Sequence, residues 1–199
     1  MNKTSPLFLL LILSFNSFAG KVAYVTVQDF PNPSIAHISN EKTMNVIDLE
    51  TGALVKTINF DAKVNQVFVS NDNLSVYVSH YDSNKIFKLN AKTLTVDKNW
   101  DNRTFATSQM VLSPDNSQLY LSGFLDNKIY SLDLNTDTVQ EAFDNNAPIS
   151  KLLYNQTLDT LVLFAGSNTN NIKVTTLDSH TMTVKNEFFI PTPNASPRT

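Results

Sequence analysis

Four segments of the chain repeat one pattern, and that repeat limits what the chain can fold into more than any other feature. Ile47, Leu89, Leu132 and Leu177 anchor the copies at spacings of 42, 43 and 45 residues. Three positions before each anchor the residue is apolar: Met44, Ile86, Ile129 and Val174. One position after, it is Asp48, Asn90, Asp133 or Asp178. Four after, it is always threonine, at Thr51, Thr93, Thr136 and Thr181. Seven after come Leu54, Val96, Val139 and Val184, and eleven after come Ile58, Trp100, Phe143 and Phe188. Periods of this length belong to solenoids, propellers and arrays, in which one supersecondary unit is stacked several times.

Each column has a physical cause. Asp, Asn and Thr beside the anchor fit a tight turn between two strands, because short polar side chains there bond nearby amides and tolerate turn conformations. Glu50-Thr51-Gly52-Ala53 and Asn135-Thr136-Asp137-Thr138 are such turns. The apolar columns flank the turn and face a core. Ile58, Trp100, Phe143 and Phe188 are placed to pack between neighbouring units.

A second hairpin lies upstream of three anchors. Val67–Ser70 runs through Asn71–Leu74 into Val76–Ser79, and Met110–Ser113 through Pro114–Ser117 into Leu119–Ser122. Leu152–Asn155 runs through Gln156–Asp159 into Leu161–Phe164. These runs are short, rich in β-branched and aromatic residues, and bounded by turn residues. The first copy is looser: Val22–Val27, then Gln28–Ser34 with two prolines, then Ile35–Ser39. No stretch has a helical period. Four short antiparallel strands per unit make the blade of a β-propeller. The expected fold is all-β: a β-propeller of four-stranded antiparallel blades at 22–59, 64–100, 107–143 and 149–189, each read innermost strand first.

The first nineteen residues read as an export signal. Met1-Asn2-Lys3 is a short basic start and Leu7–Leu13 an apolar run. Ser17-Phe18-Ala19 sets small residues at the two recognition positions of a signal-peptidase site. The run is too short to span a bilayer, which needs ~20 apolar residues. Cleavage would leave a chain that begins at Gly20 and does not span a membrane, in the periplasm or outside the cell. Residues 191–199, with three prolines, read as a disordered tail. A net charge of −3 supplies no phosphate-tracking basic face, so nucleic acid is not an expected partner. The lack of cysteine removes disulfide scaffolds, thiolate metal sites and cysteine nucleophiles together.

The same residues resemble the YVTN-type β-propeller repeats of exported bacterial proteins. Ile38-Ser39-Asn40 followed by Met44-Asn45-Val46-Ile47-Asp48-Leu49-Glu50-Thr51-Gly52 is similar to that family's Tyr-Val-Thr-Asn, short loop and Val-x-Val-Ile-Asp-Thr. Tyr77-Val78-Ser79-His80 and Tyr120-Leu121-Ser122-Gly123 occupy the first part, with the fourth position departing from Asn. Ser113-Pro114-Asp115-Asn116 resembles the Ser-Pro-Asp-Gly turn of propeller blades. The resemblance runs from Lys21 to Phe189 and implies a fold and export, but no one activity. Most such rings have more blades. Four blades leave three arrangements: a complete small ring, an open arc that forms a homodimer, or a truncated piece of a longer propeller.

Catalytic patterns are scarce. His37, His80 and His180 occupy different repeat columns, so the repeat does not bring them together as a metal-ligand set. No Gly-x-Ser-x-Gly elbow or phosphate-cradling glycine loop occurs in a chain with four glycines. Asp48, Asp133 and Asp178 are accounted for by the turn. No catalytic residue, cofactor or metal ligand is indicated.

What varies between copies is the better guide to function. The loops between second and third strands read His80-Tyr81-Asp82-Ser83-Asn84, Gly123-Phe124-Leu125-Asp126-Asn127 and Gly166-Ser167-Asn168-Thr169-Asn170-Asn171. They fall on one face of a propeller. His80, Tyr81, Asp82, Phe124, Leu125 and Asn168 are the candidate ligand contacts there, with the aromatics as anchors. Local packing over the sheet edge is the competing role for the apolar ones. The expected function is an exported, non-catalytic module that binds a protein or small ligand through this loop face. The alternative is an enzyme or redox accessory, resembling lactonase-like or haem- and quinone-dependent propellers.

Overall fold

The computed structural model describes residues 9–17, 20–27, 42–80, 83–101, 107–123, 126–166 and 171–191. Among these it contains sixteen strands and no helix, arranged as four four-stranded antiparallel sheets. They divide into two compact units, residues 1–104 and 105–199, with two sheets in each.

In the first unit, β1 (Leu9–Ser17), β2 (Gly20–Val27), β3 (Thr43–Asp48) and β4 (Leu54–Asn59) form one sheet in that order. β5 (Val64–Val69), β6 (Ser75–His80), β7 (Lys85–Asn90) and β8 (Val96–Asp101) form the next. Tyr24, Met44, Val46 and Ile58 of the first sheet pack against Val67, Val76, Val78 and Leu89 of the second in one core. Burying each large apolar side chain there is worth about 1.5–3 kcal/mol.

The first sheet differs from the sequence reading. Gly20–Val27 is its second strand, and the backbone of Leu9–Ser17 pairs with it as the first, from Leu9↔Val27 to Ser14↔Val22. Ile35–Ser39, read as a strand, lies outside the described residues. The reason is an insertion. Tyr24 is the counterpart of Tyr77 and Tyr120, since Ala23, Val76 and Leu119 before them pair with the anchors Ile47, Leu89 and Leu132. Tyr24 and Tyr77 stand 53 residues apart while their anchors stand 42 apart. The first copy therefore carries a longer connection between its second and third strands.

In the second unit, β9 (Thr107–Leu112), β10 (Gln118–Gly123), β11 (Lys128–Asp133) and β12 (Val139–Asp144) form one sheet. β13 (Ile149–Asn155), β14 (Thr160–Gly166), β15 (Asn171–Asp178) and β16 (Val184–Pro191) form the other. Val111, Tyr120 and Ile129 pack against Leu152, Leu161, Leu163 and Leu177, with Phe143 and Tyr154 at the margin of this core.

The turn columns behave as the repeat demands. Asp48 Oδ1 accepts from the amides of Glu50 and Thr51, both at 2.8 Å. Asn90 does the same for Lys92 and Thr93 at 2.9 and 3.0 Å, and Asp133 for Asn135 and Thr136 at 2.8 and 3.0 Å. Asp178 completes the set with His180 and Thr181 at 3.1 and 2.9 Å. One residue after the threonine the chain enters the left-handed region, at Gly52 (φ 71), Leu94 (φ 56), Asp137 (φ 62) and Met182 (φ 55). Only the first copy has the glycine that this conformation favours.

The large outer-strand column divides. Ile58 and Trp100 are 8% and 7% exposed, and Phe143 is partly buried against its neighbour sheet, but Phe188 is 48% exposed. The last sheet shows to solvent what the others cover.

Candidate functional site

Of the six loop contacts expected from the sequence, one lies among the described residues. Tyr81, Asp82, Phe124, Leu125 and Asn168 lie outside the described residues. His80 is described, at the end of β6, and it is buried. Its ring meets Phe60 and Phe87 edge-on, at centroid distances of 5.1 and 5.0 Å. Its Nδ1 lies 3.3 Å from the carbonyl oxygen of Lys85, tying the end of β6 to the start of β7. Beside it Lys85 pairs with Asp61, whose carboxyl is held below its ordinary range by that ammonium. A ring so enclosed packs a core edge. His37, in the first copy, also lies outside the described residues.

An open concavity lies in the second unit. It has a volume of about 410 Å³ and forms where the turn after β15 crosses the outer strands of the neighbouring sheet. Gln118, Tyr120, Ser131, Gln140 and Glu141 line it from β10, β11 and β12, and Ser179–Met182 from the turn. Alternation explains Gln118, Tyr120, Ser131 and Gln140, while Glu141, opposite Tyr130, sends its side chain to the other side of the sheet. Ser131 pairs with Gln140 across β11 and β12 and with Tyr120 across β10 and β11, so one side of three strands is presented.

The polar groups are oriented by one another. Ser131 Oγ donates to Gln118 Oε1 at 2.7 Å, and Gln118 Nε2 donates to Asp133 Oδ2 at 3.1 Å. Lys128 Nζ holds Glu141 Oε2 at 2.7 Å. Tyr120 stacks with Tyr154 at 6.0 Å and donates its hydroxyl to the Ser179 carbonyl at 2.9 Å, clasping one sheet to the turn of the next. Burial pushes the Tyr120 phenol up to about 12.

Ser179, His180 and Asp159 meet at the concavity's edge, but not as a nucleophile and its base. Ser179 Oγ donates to Asp159 Oδ1 at 3.0 Å, and His180 Nε2 lies 3.1 Å from Asp159 Oδ2. The carboxylate stands between serine and histidine, whereas a base must touch the nucleophile itself. Ser179 is 2% exposed. Hydroxyls of Tyr154 and Ser179 hold the Asp159 carboxyl below its ordinary range, which makes it a poor proton acceptor. Among the described residues no three His, Asp or Glu side chains converge as a metal-binding group. The sequence singled out His180 only as an isolated histidine. Its partner Asp159 stands 21 residues earlier, in the turn between β13 and β14, and nothing in the local sequence signals that approach.

No family model matches the chain, and no curated protein matches it in sequence. Solved structures do match in shape. One is hydrazine synthase from Kuenenia stuttgartiensis, with a TM-score of 0.68 at 15% identity over 85% of this chain and 46% of that one. Another is a chain from the crystal structure of a mitotic checkpoint complex, with a TM-score of 0.66 at 15% identity over 92% of this chain and 52% of that one. The fold is that of a β-propeller. The chain spans about half the length of these propeller chains. In all, 1241 solved chains match in shape, and a fold used that widely selects no activity by itself.

Proposed function

We propose that the chain is an exported, non-catalytic β-propeller module, with repeats of the YVTN type, that binds a small polyhydroxylated ligand in the concavity of its second unit. The observation that carries the reading is the lining. Gln118, Gln140, Ser131 and Thr181, with amide and hydroxyl side chains, line one open volume. Amides and hydroxyls side by side both accept from and donate to ligand hydroxyls, which suits a saccharide-like ligand better than an anion or an apolar one. The side chains of Met182 and Ala142 supply the short apolar surface such a ring can rest on. Binding rather than turnover is favoured because the buried serine's partner is a weak base.

Export rests on the basic start, the apolar run and the small residues at Ser17 and Ala19. Cleavage after Ala19 would remove β1 and leave β2 as the edge of its sheet. N-terminal sequencing of protein recovered from the cell envelope tests this: a start at Gly20 supports export with cleavage, and a start at Met1 overturns it.

Titration calorimetry with a panel of neutral mono- and disaccharides tests the ligand. Gln140→Ala and Gln140→Leu are each expected to weaken binding by about tenfold, near 1.4 kcal/mol. Tyr81→Ala and Phe124→Ala, on the loop face, should leave it unchanged. Binding lost in the loop variants and kept in the concavity variants would return the site to the loop face. No heat with any sugar would overturn the ligand class.

A further inference from the structure

We infer that Asp133 is a positioning residue for the concavity: one of its oxygens closes a turn, and the other fixes which way the Gln118 amide faces a ligand. The inference rests on the reading of the concavity as a ligand site. Asp133 Oδ1 accepts from the amides of Asn135 and Thr136 at 2.8 and 3.0 Å, as the turn requires. Oδ2 is not needed for that task, and it accepts from Gln118 Nε2 at 3.1 Å. The other end of the amide, Oε1, accepts from Ser131 Oγ at 2.7 Å. The amides of Thr136 and Asn135 hold the Asp133 carboxyl below its ordinary range, so at neutral pH it is a carboxylate. A carboxylate only accepts, so the nitrogen of Gln118 and not its oxygen must face it. A side-chain amide has two N–H groups and two lone pairs. These two bonds leave one of each for a ligand, in a fixed order. Adjacent ligand hydroxyls, one accepting and one donating, match that order.

The repeat does not require this arrangement. Opposite the turn acceptors Asp48, Asn90, Asp133 and Asp178 stand Val22, Ser75, Gln118 and Thr160. Only the third copy sets an amide there. The spare oxygen of Asp178 is used differently, by Lys185 Nζ at 2.9 Å.

The outer strand of the third sheet is also re-aimed. In the other three sheets it skips one residue directly beside the anchor, where Val46↔Lys56 gives way to Ile47↔Leu54, Lys88↔Lys98 to Leu89↔Val96, and Thr176↔Asn186 to Leu177↔Val184. The skipped residues are Val55, Asp97 and Lys185. In the third sheet the skip lies farther along, between Ile129↔Phe143 and Tyr130↔Glu141. An extra residue in one strand turns the side chains beyond it to the other face. Gln140, at the position skipped elsewhere, therefore stands opposite Ser131 and on its side of the sheet. Two departures from the repeat, the Gln118 hold and the moved bulge, converge on one lining.

The substitution Asp133→Asn separates the two tasks of Asp133. Asn90 closes the same turn in the second copy, with amides at 2.9 and 3.0 Å, so asparagine keeps the turn. Its nitrogen then takes the place of Oδ2 and meets the Gln118 nitrogen, donor to donor. The Gln118 amide is expected to turn over, with Oε1 toward the new side chain and Nε2 toward Ser131 Oγ, which can accept.

NMR of the ligand-free full chain, with nitrogen-labelled glutamine, reads the direction of the amide. In the wild type the Gln118 side-chain amide protons should show their strongest cross-relaxation to the β-protons of Asp133. In Asp133→Asn it should pass to the β-protons of Ser131. Calorimetry with the saccharide panel reads the consequence, about tenfold weaker binding at an unchanged Tm. Asp48→Asn makes the same change in a turn that has Val22 opposite, and should alter neither reading. A wild-type amide whose protons lie against Ser131 overturns the inference, and that spectrum decides by itself if Asp133→Asn fails to fold. An amide that keeps its direction in Asp133→Asn overturns it, as does a sugar that this variant and the wild type bind equally well. If no sugar binds, the ligand class falls, and the direction of the amide alone decides for or against Asp133.

Discussion

Replacing Tyr120 by Phe removes one oxygen and keeps the ring. The hydroxyl donates to the Ser179 carbonyl at 2.9 Å, and the side chain is 3% exposed. The stack on Tyr154, at 6.0 Å and 27°, survives the change. What is lost is one neutral hydrogen bond between two sheets, with a carbonyl left behind at the edge of an open concavity. Net loss of such a bond costs about 1–2 kcal/mol. For a chain of this size each kcal/mol moves Tm by about 2–4 °C, so a fall of about 2–8 °C is expected. Urea unfolding should show a lower midpoint with an unchanged slope, because the surface exposed on unfolding is the same.

A second readout belongs to the same atom. The Tyr120 phenol is pushed from 10.0 up to about 12 by burial, so the folded state holds its proton more tightly than the unfolded chain. The associated stability is present below pH 10 and is lost as pH rises from 10 toward 12. That loss is worth roughly 2–3 kcal/mol. Tyr120→Phe cannot titrate, so its alkaline limb should be shallower by that amount. A variant with wild-type Tm at neutral pH and an unchanged alkaline limb would refute both the clasp and its burial.

Two further outcomes follow from the turns. Asp137 is exposed and holds φ 62 where the first copy has Gly52; Asp137→Gly should raise stability by about 0.5–1 kcal/mol, read as a Tm increase. Asp48 and Asp133 are held below their ordinary value of 3.8 chiefly by turn amides, and Asp178 by Lys185 and then the turn amides. The stability they contribute is present above 3.8 and is lost as pH falls below it. Asp133→Asn keeps the acceptor but cannot titrate, so acid unfolding should become shallower with little change at neutral pH.

The repeat made most of the fold legible, because each column has a local cause. Asp133 and Thr136 name a turn wherever they fall, and in the three later copies each anchor lies in the third strand of a four-stranded sheet. The first copy departs from the others because its connection between second and third strands is longer. Tyr24-Val25-Thr26 matches Tyr77-Val78-Ser79 residue for residue, yet lies eleven positions too early for the anchor spacing. Leu9–Ser17 reads from the sequence as part of an export signal, and its pairing with β2 is not signalled there, because an uncharged apolar run also suits an inner strand. The concavity was not legible at all. Gln118 and Gln140 look like ordinary outward residues of a strand pattern, and only packing of the next sheet's turn beside them turns them into a lining.

Residue-resolved amide hydrogen exchange tests the central claim most directly, namely that each repeat is one four-stranded antiparallel sheet. Protection should recur four times along the chain, at the 42-, 43- and 45-residue spacings of the anchors. It should be strongest in the paired middle strands β2–β3, β6–β7, β10–β11 and β14–β15, and weakest in the outer strands β4, β8, β12 and β16. Protection missing from one of the middle pairs, or a pattern without the repeat's period, would contradict the account.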